Sequence, residues 1–483
     1  MEIKKVLVAN RGVPAVRVMI TLRDRKIPSV AVYSTPDRLA HHVFMADEAI
    51  HVGEAPPKES YLNQDMMIDA ALKTGANAIH PGWGFLAENP DFAQKVIDAG
   101  LIWIGPSPEV IRAMGDKIRA KKIAKRANVP VVPGIEGVKS PQEIIRWMKE
   151  EDISFPVMIK AASGGGGKGM VKVSREEELK LALSQAASEA KKAFGDDTLL
   201  VEKYVERARH IEVQIVGDME GNIVHLHERE CTLQRRNQKI IEEAPSPALD
   251  ESLREEICFT AVRLMREIGY YSAGTVEFLF DSDTKKFYFL EVNTRLQVEH
   301  GVTELITGLD IVSIMLDVAT GRPLPFKQPE IHPNRWAIEV RLNAEDPKTF
   351  NPSFGRITRL QLPHGPNVRL SIGVNEGDEI PPYYDSLFLL IMSAGTNRLD
   401  AIRVMDRALG RGLRVEGIKT LQPLLLSIVR HPKYIKGEFS TRFIEEHMTE
   451  LISMFRERNP DEEVLKIGRY VAEISALGPQ GWM

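Results

Sequence analysis

The sequence contains 483 residues, which is enough for two to four domains with sizeable cores. Hydrophobic residues make up 43% and charged residues 27%, proportions that are ordinary for a soluble globular protein. With 63 basic and 67 acidic residues the net charge is -4, which gives no electrostatic case for binding nucleic acid or an anionic membrane.

Cysteine usage and apolar patterning bear on the cellular compartment. The two cysteines, Cys231 and Cys258, have no spacing typical of a metal site or a disulfide framework, so we expect a reducing compartment. The N-terminus passes into a buried-strand pattern without the apolar region of a signal peptide, and no apolar run approaches the roughly 20 residues of a membrane span. We therefore expect a cytoplasmic protein.

The beginning of the chain alternates strand and helix patterns. An apolar run over 5–9 precedes a helical pattern over 14–22 and a second apolar run over 29–33, and this βαβ order predicts a parallel sheet. The turn after the first strand has one glycine instead of G-x-G-x-x-G, which argues against a dinucleotide-binding fold. Further strands and one long helix are predicted over 78–81, 101–105 and 108–127.

A glycine run separates two predicted strands. The strand pattern over 155–160 ends at Lys160, glycines occupy 164–167, and a second strand pattern covers 171–173. Glycines expose backbone N–H groups that can fold over phosphate oxygens. The run is not a P-loop, because a strand follows it instead of a helix. A plain linker is the alternative, but a lysine at the end of an apolar strand favours a phosphate contact.

The stretch 275–304 carries the strongest chemical signal. Two apolar runs, 276–280 and 287–292, flank a segment rich in turn formers and predict an antiparallel hairpin. Such a hairpin places Glu277 opposite Glu291 on one face, about 5 Å apart, which destabilises a sheet unless a positive charge lies between them. A divalent cation is the simplest such charge, and a solvated hairpin is the alternative.

The residues after Glu291 extend this polar face. Asn293 points the same way if the strand continues, and three oxygen ligands on one face suit Mg2+ or Mn2+. The alternation is predicted to persist, with Arg295, Gln297 and Glu299 on the polar side and Leu296 and Val298 on the apolar side. This unbroken polar series favours a site over a solvated face.

A dense basic cluster bracketed by acidic residues occupies 228–245. It is typical either of a salt-bridged surface loop or of an anion site, because arginine and lysine bind carboxylate, phosphate or bicarbonate oxygens. Proline spacing over 321–333 marks a boundary, and the turn-rich remainder with short strands predicts a β-rich C-terminal domain. The tail from Thr441 is expected to be helical and charged.

Several motifs follow one another along the chain, at 9–12, 80–89, 114–117, 159–160 with its glycine run, 234–239, 291–300 and 341–346. Together they resemble the biotin carboxylases of the ATP-grasp superfamily, up to about residue 447. One glycine-rich loop would be weak evidence, whereas ordered matches in one chain are strong. The resemblance implies an α/β and α+β fold of four parts: an N-terminal parallel α/β (pre-ATP-grasp) domain at 1–114, an ATP-grasp domain at 115–330 with a mobile glycine-loop lid subdomain at about 134–204, a β-rich C-terminal domain at 331–447 and a charged helical tail at 448–483.

The resemblance also assigns roles to individual residues. The nucleotide would be held through its phosphates and ribose by Lys117, Lys160, His210, Gly166 and Gly167, at an adenine hinge by Glu202, Lys203, Tyr204 and Val205, and further by Gln234 and Asn237. The metal ligands would be Glu277, Glu291 and Asn293. Bicarbonate would be held by Lys239, Arg295, Gln297 and Val298, with Glu299 as general base and Arg341 beside the biotin ureido group.

The implied enzyme is a ligase that uses ATP, bicarbonate and Mg2+ or Mn2+ to carboxylate biotin through carboxyphosphate. No Met-Lys-Met biotinylation site occurs, so we expect biotin on a separate biotin carboxyl carrier protein and a separate carboxyltransferase. The resemblance suggests a homodimer and a subunit of a pyruvate, acetyl-CoA or related acyl-CoA carboxylase. The alternatives are another ATP-grasp carboxylate–amine ligase and a non-catalytic nucleotide-binding subunit.

Four places depart from the usual pattern of that family. Val13 and Pro14 stand where a Glu-Ile pair is common, and Asn237 stands where histidine is common. Gly301 replaces a frequent proline, and Leu390 occupies the place of a common lysine. None of these changes removes a proposed metal ligand, the proposed base or a proposed enolate-stabilising arginine, so activity is still expected.

Overall fold

The structure is a computed structural model, and it describes residues 2–161, 170–194 and 197–455. Gly166 and Gly167 of the predicted lid loop, and the predicted tail beyond Phe455, lie outside these residues. Among the helices of the described part, none combines the length and apolarity needed to cross a bilayer.

The N-terminal part of the chain is a parallel α/β layer structure, as predicted. Its strands are β1 (Val6–Val8), β2 (Ser29–Tyr33), β3 (Glu48–His51), β4 (Ala78–His80) and β5 (Ile102–Trp103). Its helices are α1 (Gly12–Asp24), α2 (His41–Met45), α3 (Gln64–Thr74), α4 (Pro90–Asp98) and α5 (Pro108–Gly115). The sheet order is β3-β2-β1-β4-β5 with parallel pairing, and apolar cores lie on both of its faces.

The single helix predicted over 108–127 is wrong, because the chain breaks it in two. Helix α5 ends at Gly115, and α6 (Lys117–Arg126) begins after Asp116. Asp116 has extended backbone angles, and its carboxylate accepts a hydrogen bond from the Arg119 backbone N–H at 3.0 Å, as an N-cap does. The break makes Lys117 the first residue of a helix.

A separate four-stranded sheet holds the segment predicted as the lid. Its strands are β6 (Gly134–Glu136), β7 (Val157–Ala161), β8 (Met170–Val173) and β9 (Leu199–Lys203), in the order β6-β9-β7-β8. Helices α7 (Pro141–Glu150) and α8 (Leu179–Phe194) cover it around a small apolar core of their own. Strands β7 and β8 are antiparallel, which confirms the hairpin predicted around the glycine run.

The central strands follow in sequence. They are β10 (Ala208–Gly217), β11 (Ile223–Arg235), β12 (Gln238–Ala244), β13 (Ser272–Asp281), β14 (Phe287–Asn293) and β15 (Trp336–Asn343), with helices α9 (Glu251–Glu267), α10 (His300–Thr307) and α11 (Ile311–Ala319). The segment 228–245 is therefore a hairpin of β11 and β12 and not a surface loop. Arg236 and Asn237 form its tight turn, with φ angles of 48° and 64°.

The C-terminal part adds two strands to the sheet of the central strands, and its other strands form two small sheets. Its strands are β16 (Gly355–Arg356), β17 (Arg359–Gln361), β18 (Val368–Ile372), β19 (Glu379–Ile380), β20 (Leu387–Gly395) and β21 (Arg414–Glu416), and its helices are α12 (Arg398–Arg407), α13 (Gln422–Arg430), α14 (Pro432–Lys436) and α15 (Phe443–Ser453). An eight-stranded sheet runs β14-β13-β10-β11-β12-β15-β20-β18, and the two small sheets pair β16 with β19 and β17 with β21. Because this sheet continues from β12 into β15, the central and C-terminal strands form one wall.

Candidate active site

One large cleft, with a cavity volume of about 1510 Å³, is bounded by the N-terminal part, the lid sheet and the eight-stranded sheet. Every predicted site residue within the described part of the chain lines it. These residues are Lys117, Lys160, Glu202, Lys203, Tyr204, Val205, His210, Gln234, Asn237, Lys239, Glu277, Glu291, Asn293, Arg295, Gln297, Val298, Glu299 and Arg341. Gly166 and Gly167 lie outside the described residues.

The acidic hairpin has the geometry predicted from its sequence. Glu277 on β13 pairs directly with Glu291 on β14, so the two side chains share a face. Asn293 pairs with Thr275, and its amide Nδ2 donates a hydrogen bond of 2.8 Å to Oε1 of Glu277. Two carboxylates and one amide therefore meet at one place on the sheet.

The strand alternation predicted beyond Asn293 is wrong, although its polar side survives. Strand β14 ends at Asn293, and the chain over 294–299 is irregular before α10 begins. Leu296 is fully buried in the core shared with the N-terminal part, and this anchor holds the segment against the sheet. Arg295, Gln297 and Glu299 consequently still line the cleft.

Lys239 is the centre of the buried charges in the cleft. Its Nζ donates hydrogen bonds to Glu212 at 2.5 Å, to Glu277 at 2.8 Å and to Glu299 at 2.6 Å. Burial lowers the pKa of Lys239, but the three carboxylates raise it by more. The net pKa therefore lies well above its ordinary value. The lysine is a fixed positive charge joining β10, β12, β13 and the segment before α10.

Glu299 lies between two cations. Its side chain is fully buried, one oxygen accepts from Lys239, and the other accepts a 2.9 Å hydrogen bond from Arg341. Burial raises the pKa of Glu299, yet the charges of Lys239, Arg341 and Arg229 bring it well below its ordinary value. Glu299 is therefore a carboxylate at neutral pH, as a general base must be.

The two arginines reach the cleft from different directions. Arg341 on β15 donates from Nε to Glu242 at 2.6 Å, in addition to its bond with Glu299. Arg295 donates from Nε to Glu88 at 2.7 Å and from Nη2 to Oδ1 of Asn293 at 3.2 Å. With Lys239, they place three cations around the polar end of the cleft.

The other end of the cleft carries lysines at the border between the lid sheet and the body. Lys160, at the end of β7, donates a 2.5 Å hydrogen bond to Glu202 on β9, whose other oxygen bonds Lys121 on α6. Lys117, the first residue of α6, lies 3.5 Å from Glu291. Tyr204 and Val205, which follow β9 and lead to β10, also line the cleft.

His210 adds a ring nitrogen to the acidic hairpin. It lies on β10 beside the acidic hairpin, with Nε2 3.0 Å from Oε2 of Glu277. Together with Lys239, it lowers the pKa of Glu277, although burial acts in the opposite sense. Glu277 is thus ionised and ready to act as a metal ligand.

The acidic hairpin fits a hard divalent cation. Glu277, Glu291 and Asn293 present carboxylate and amide oxygens, which Mg2+ and Mn2+ prefer. Burial and the neighbouring charge of Glu277 raise the pKa of Glu291, a like-charge strain that a cation between the two would relieve.

Sequence reasoning missed several residues of this site. Glu212 and Glu242 are fully buried and bind Lys239 and Arg341, while Glu88 binds Arg295. Glu212 follows His210 by two residues on one strand, so period-2 alternation places both on the same face and could have found it. Glu242 and Glu88 lie far in sequence from their partners, and only the folded chain brings them together.

The four-stranded lid sheet and the eight-stranded sheet bound one cleft that holds the lysines and the paired-glutamate hairpin. This arrangement is that of the ATP-grasp class of nucleotide-binding enzymes. Family models agree with this class along the chain. Residues 2–111 match the biotin carboxylase N-terminal domain, 116–327 match the ATP-binding domain of the carbamoyl-phosphate synthase L chain, and 339–446 match the biotin carboxylase C-terminal domain.

Known proteins define the family more closely. Biotin carboxylase 1 of Bacillus subtilis is 45% identical over 445 residues, which cover 92% of this chain and 98% of that protein. The mouse mitochondrial propionyl-CoA carboxylase alpha chain is 47% identical over 92% of this chain, but the match spans only 61% of its length.

A solved structure with the same fold is the biotin carboxylase domain dimer of 2-oxoglutarate carboxylase from Hydrogenobacter thermophilus, in complex with MgADP, ADP and bicarbonate. It has a TM-score of 0.86 and 45% identity, and the match covers 95% of this chain and all of that one. The chain belongs to the biotin carboxylase family.

Proposed function

We propose that this chain carboxylates biotin on a separate carrier protein, using ATP and bicarbonate and releasing ADP and phosphate. The observation that carries the proposal is the grouping of Lys239, Arg295 and Arg341 around Glu299, next to the Glu277–Glu291 pair. Three cations suit an anionic substrate and a charged intermediate. A carboxylate held between two of them suits a proton acceptor, and the paired glutamates suit a phosphate-bound metal.

The nucleotide binds at the lid end of the cleft. The hinge at Glu202, Lys203, Tyr204 and Val205 takes the adenine, and Gln234 and Asn237, which line the same cleft, also contact the nucleotide. Lys117, Lys160, His210, Gly166 and Gly167 contact the phosphates and ribose. When bound at Glu277, Glu291 and Asn293, Mg2+ or Mn2+ supplies charge that offsets the negative charge on the phosphoryl oxygens.

Bicarbonate binds between Lys239, Arg295, Gln297 and the chain at Val298. Gln297 favours this role because its Nε2 is buried without a hydrogen-bond partner among the described residues, so it has a donor to offer. An anion here draws Lys239 away from Glu299, which raises the pKa of Glu299 and makes it a stronger base. Glu299 then takes the bicarbonate proton, and the freed oxygen attacks the γ-phosphorus. The bond from the γ-phosphorus to the bridging oxygen breaks, so ADP leaves and carboxyphosphate forms.

The second half of the reaction uses the arginines. Carboxyphosphate breaks down to CO2 and phosphate, and the phosphate takes the ureido proton of biotin. The deprotonated N1' attacks CO2, while Arg295 and Arg341 stabilise the enolate-like ureido oxygen through charge-assisted hydrogen bonds. Closure of the lid sheet keeps water from carboxyphosphate in the interval.

The wider assembly belongs to the same proposal. Biotin arrives on a biotin carboxyl carrier protein, and a carboxyltransferase passes the carboxyl group to pyruvate, acetyl-CoA or a related acyl-CoA. A homodimer is proposed because the Hydrogenobacter thermophilus domain is a dimer. The domain limits and the cytoplasmic location given by the sequence remain predictions.

ADP release measured with and without bicarbonate, and with and without free biotin, tests the proposal. We expect release that requires bicarbonate and rises with biotin, together with carboxybiotin formed from labelled bicarbonate. Stimulation by an amino acid in place of biotin would indicate a carboxylate–amine ligase instead. Arg295→Ala is expected to abolish carboxybiotin formation, and unchanged formation would show that the anion pocket is assigned wrongly.

A further inference from the structure

Two buried glutamates behind Arg341 have no role in the mechanism above. Glu242 on β12 and Glu339 on β15 are directly opposite each other in the sheet, and both are fully buried. Residues paired in this way share a face, with Cβ atoms about 4.5–5.5 Å apart. Arg341 follows Glu339 by two residues and lies on that same face.

The hydrogen bonds of this pair are incomplete. Oε1 of Glu242 accepts from Arg341, but its Oε2 and both oxygens of Glu339 are buried without a partner among the residues that the structure describes. An ionised carboxylate with no donor is costly to bury, so a proton bound between these three oxygens would stabilise the pair. One hydrogen on Glu339 would serve both side chains at once.

Among the described residues, no side-chain donor bonds Glu339, because Arg341 bonds Glu242 and Glu299, and Arg369 bonds Glu304. Met392 lies opposite Glu339 on β20, and Leu390 lies opposite Arg341. On the remaining side, a Cβ at Gly301 would stand 3.0 Å from Oε2 of Glu339 and 2.3 Å from Sδ of Met392, so the backbone of α10 closes over the carboxyl group. Glu339 is left with Glu242 as its natural partner.

We propose that Glu339 is a neutral carboxylic acid that donates a hydrogen bond to Oε2 of Glu242, and that this bond positions Glu242 against Arg341. The inference rests on the proposed function, because Arg341 is taken there to stabilise the biotin ureido oxygen. A third carboxylate charge beside Arg341 would compete with that oxygen for the guanidinium. With Glu339 neutral, Arg341 is oriented by Glu242 and Glu299 while part of its charge stays available to substrate.

The charges in the vicinity agree with this assignment. Burial and the charge of Glu242 raise the pKa of Glu339 well above its ordinary value, and burial raises the pKa of Glu242 to about 7 although Arg341 lowers it. The charged groups that face the pair come from β12, β15, β18 and the segment before α10, and they are Lys239, Glu299, Arg341 and Arg369. An apolar site can keep a buried carboxylic acid neutral at pH 7, so that it donates a hydrogen bond.

Infrared difference spectra of the full chain at pH 8, wild type minus Glu339→Gln, test the proton directly. Exposed carboxyl groups are ionised at that pH, so we expect a carbonyl band of a protonated acid in the wild type that the variant lacks. The exposed glutamate Glu379, changed to Gln, is the matched control and should leave the band in place. Absence of the band from the wild type would overturn the proposal.

Kinetics separate a positioning role from mere packing. Glu339→Gln keeps a donor for Glu242, so we expect kcat within about threefold of wild type, whereas Glu339→Leu leaves Oε2 of Glu242 unpaired and should lower kcat roughly tenfold or more. The KM for ATP should change in neither variant. Equal losses in Gln and Leu variants would overturn the proposal. If the wild type itself shows no biotin-dependent rate, the proposed function fails and the infrared band alone decides this inference.

Discussion

Two ionic clusters meet at the neighbouring residues Glu299 and His300, and they differ in how completely their atoms are paired. The helix cluster joins α1 to α10 and α11 through Arg17. This arginine donates to His300 at 3.0 Å, to Thr21 at 2.7 Å and to Glu304 at 2.6 Å, and it also bonds Asp310 at 2.9 Å. None of these five residues has a buried side-chain atom without a partner within the described ranges.

The cleft cluster is formed by Lys239 and Arg341 with their carboxylate partners, and its hydrogen bonds are incomplete. Glu242, Gln297 and Glu339 each keep at least one buried polar atom unpaired within the described part of the chain. Buried polar atoms are normally satisfied, so the unpaired atoms of Gln297 in the cleft, and of Glu242 and Glu339 behind Arg341, indicate where substrate or a proton completes the structure. The helix cluster therefore joins parts of the fold, whereas the cleft cluster has polar atoms free to bind a ligand or a proton.

The largest effect on activity is expected from a change in the cleft cluster. Glu299→Gln keeps the shape of the side chain but cannot take the bicarbonate proton, so bicarbonate-dependent ADP release should fall 10²- to 10⁴-fold. The affinity for ATP should be retained, because Glu299 lies away from the nucleotide end. Steady-state rates and nucleotide titration measure the two quantities. Activity close to wild type, as expected for Glu379→Gln, would contradict the assignment of the base.

A change in the helix cluster should lower the stability of the fold and not the activity. Arg17→Met leaves the buried Glu304 with Arg369 as its remaining cation and the partly exposed Asp310 without one. Breaking a fully buried pair costs about 3–5 kcal/mol, so we expect the unfolding free energy to fall by about 3 kcal/mol, the lower end of that range. The specific activity of the folded fraction should stay near wild type. Urea unfolding monitored by tryptophan fluorescence measures the loss.

Arg25→Met is the matched control for Arg17→Met. Arg25 follows α1 and pairs with Asp317 on α11 at 2.7 Å, but its side chain is 25% exposed. A pair with this much solvent access is worth about 0–1 kcal/mol. If the two variants lost the same stability, burial would not be what makes Arg17 important to the helix cluster.

His300 of the helix cluster also makes the stability of the fold depend on pH. His300 accepts from Arg17 at Nε2, and its Nδ1 lies 2.8 Å from the Gln297 carbonyl, so the folded protein holds the neutral ring. Burial lowers its pKa to about 4, and Arg17 and Arg369 also lower it, while Glu304 acts in the opposite sense. The unfolded chain binds the proton near pH 6.5, so stability should fall as pH drops from about 6.5 to about 4, by about 3 kcal/mol.

Urea midpoints measured across this pH range test the histidine. His300→Gln keeps an acceptor for Arg17 and cannot titrate, so its stability should fall less steeply between pH 6.5 and pH 4. His51→Gln, at an exposed position on β3, should follow the wild-type curve. A wild-type slope in His300→Gln would show that other groups govern acid unfolding.

The sequence predicted local features well where one periodicity decided them. The parallel βαβ beginning, the hairpin around the glycine run and the pairing of Glu277 with Glu291 all follow from alternation and turn chemistry over short distances. The long helix over 108–127 failed because an N-cap residue, Asp116, competes with helix continuation. Propensity alone does not show which of the two wins.

The site was predictable only in the parts that lie close together in sequence. Arg295, Gln297 and Glu299 share one segment, so their grouping could be expected even though the strand ends at Asn293. Glu88 and Glu242 reach their arginine partners across 207 and 99 residues, respectively. Such partners follow from sheet order and domain packing, which a single sequence does not encode in any local pattern.

A third ionic group, at the lid, gives the smallest predicted effect. Glu202 on β9 holds Lys160 of the same sheet and Lys121 of α6, and burial raises its pKa while the two lysines lower it below the ordinary value. Lys121→Gln leaves Glu202 with Lys160 alone, so the ammonium is held more tightly and is less available to a phosphate. Both lysines are partly exposed, which limits the effect to about 1 kcal/mol, or roughly a fivefold rise in the KM for ATP. Steady-state kinetics at saturating bicarbonate measure the KM, and Lys122→Gln, at an exposed neighbouring position, is the control. Equal KM values in both variants would mean that Glu202 does not restrain Lys160. This third group would then only join two parts of the fold, as the helix cluster does.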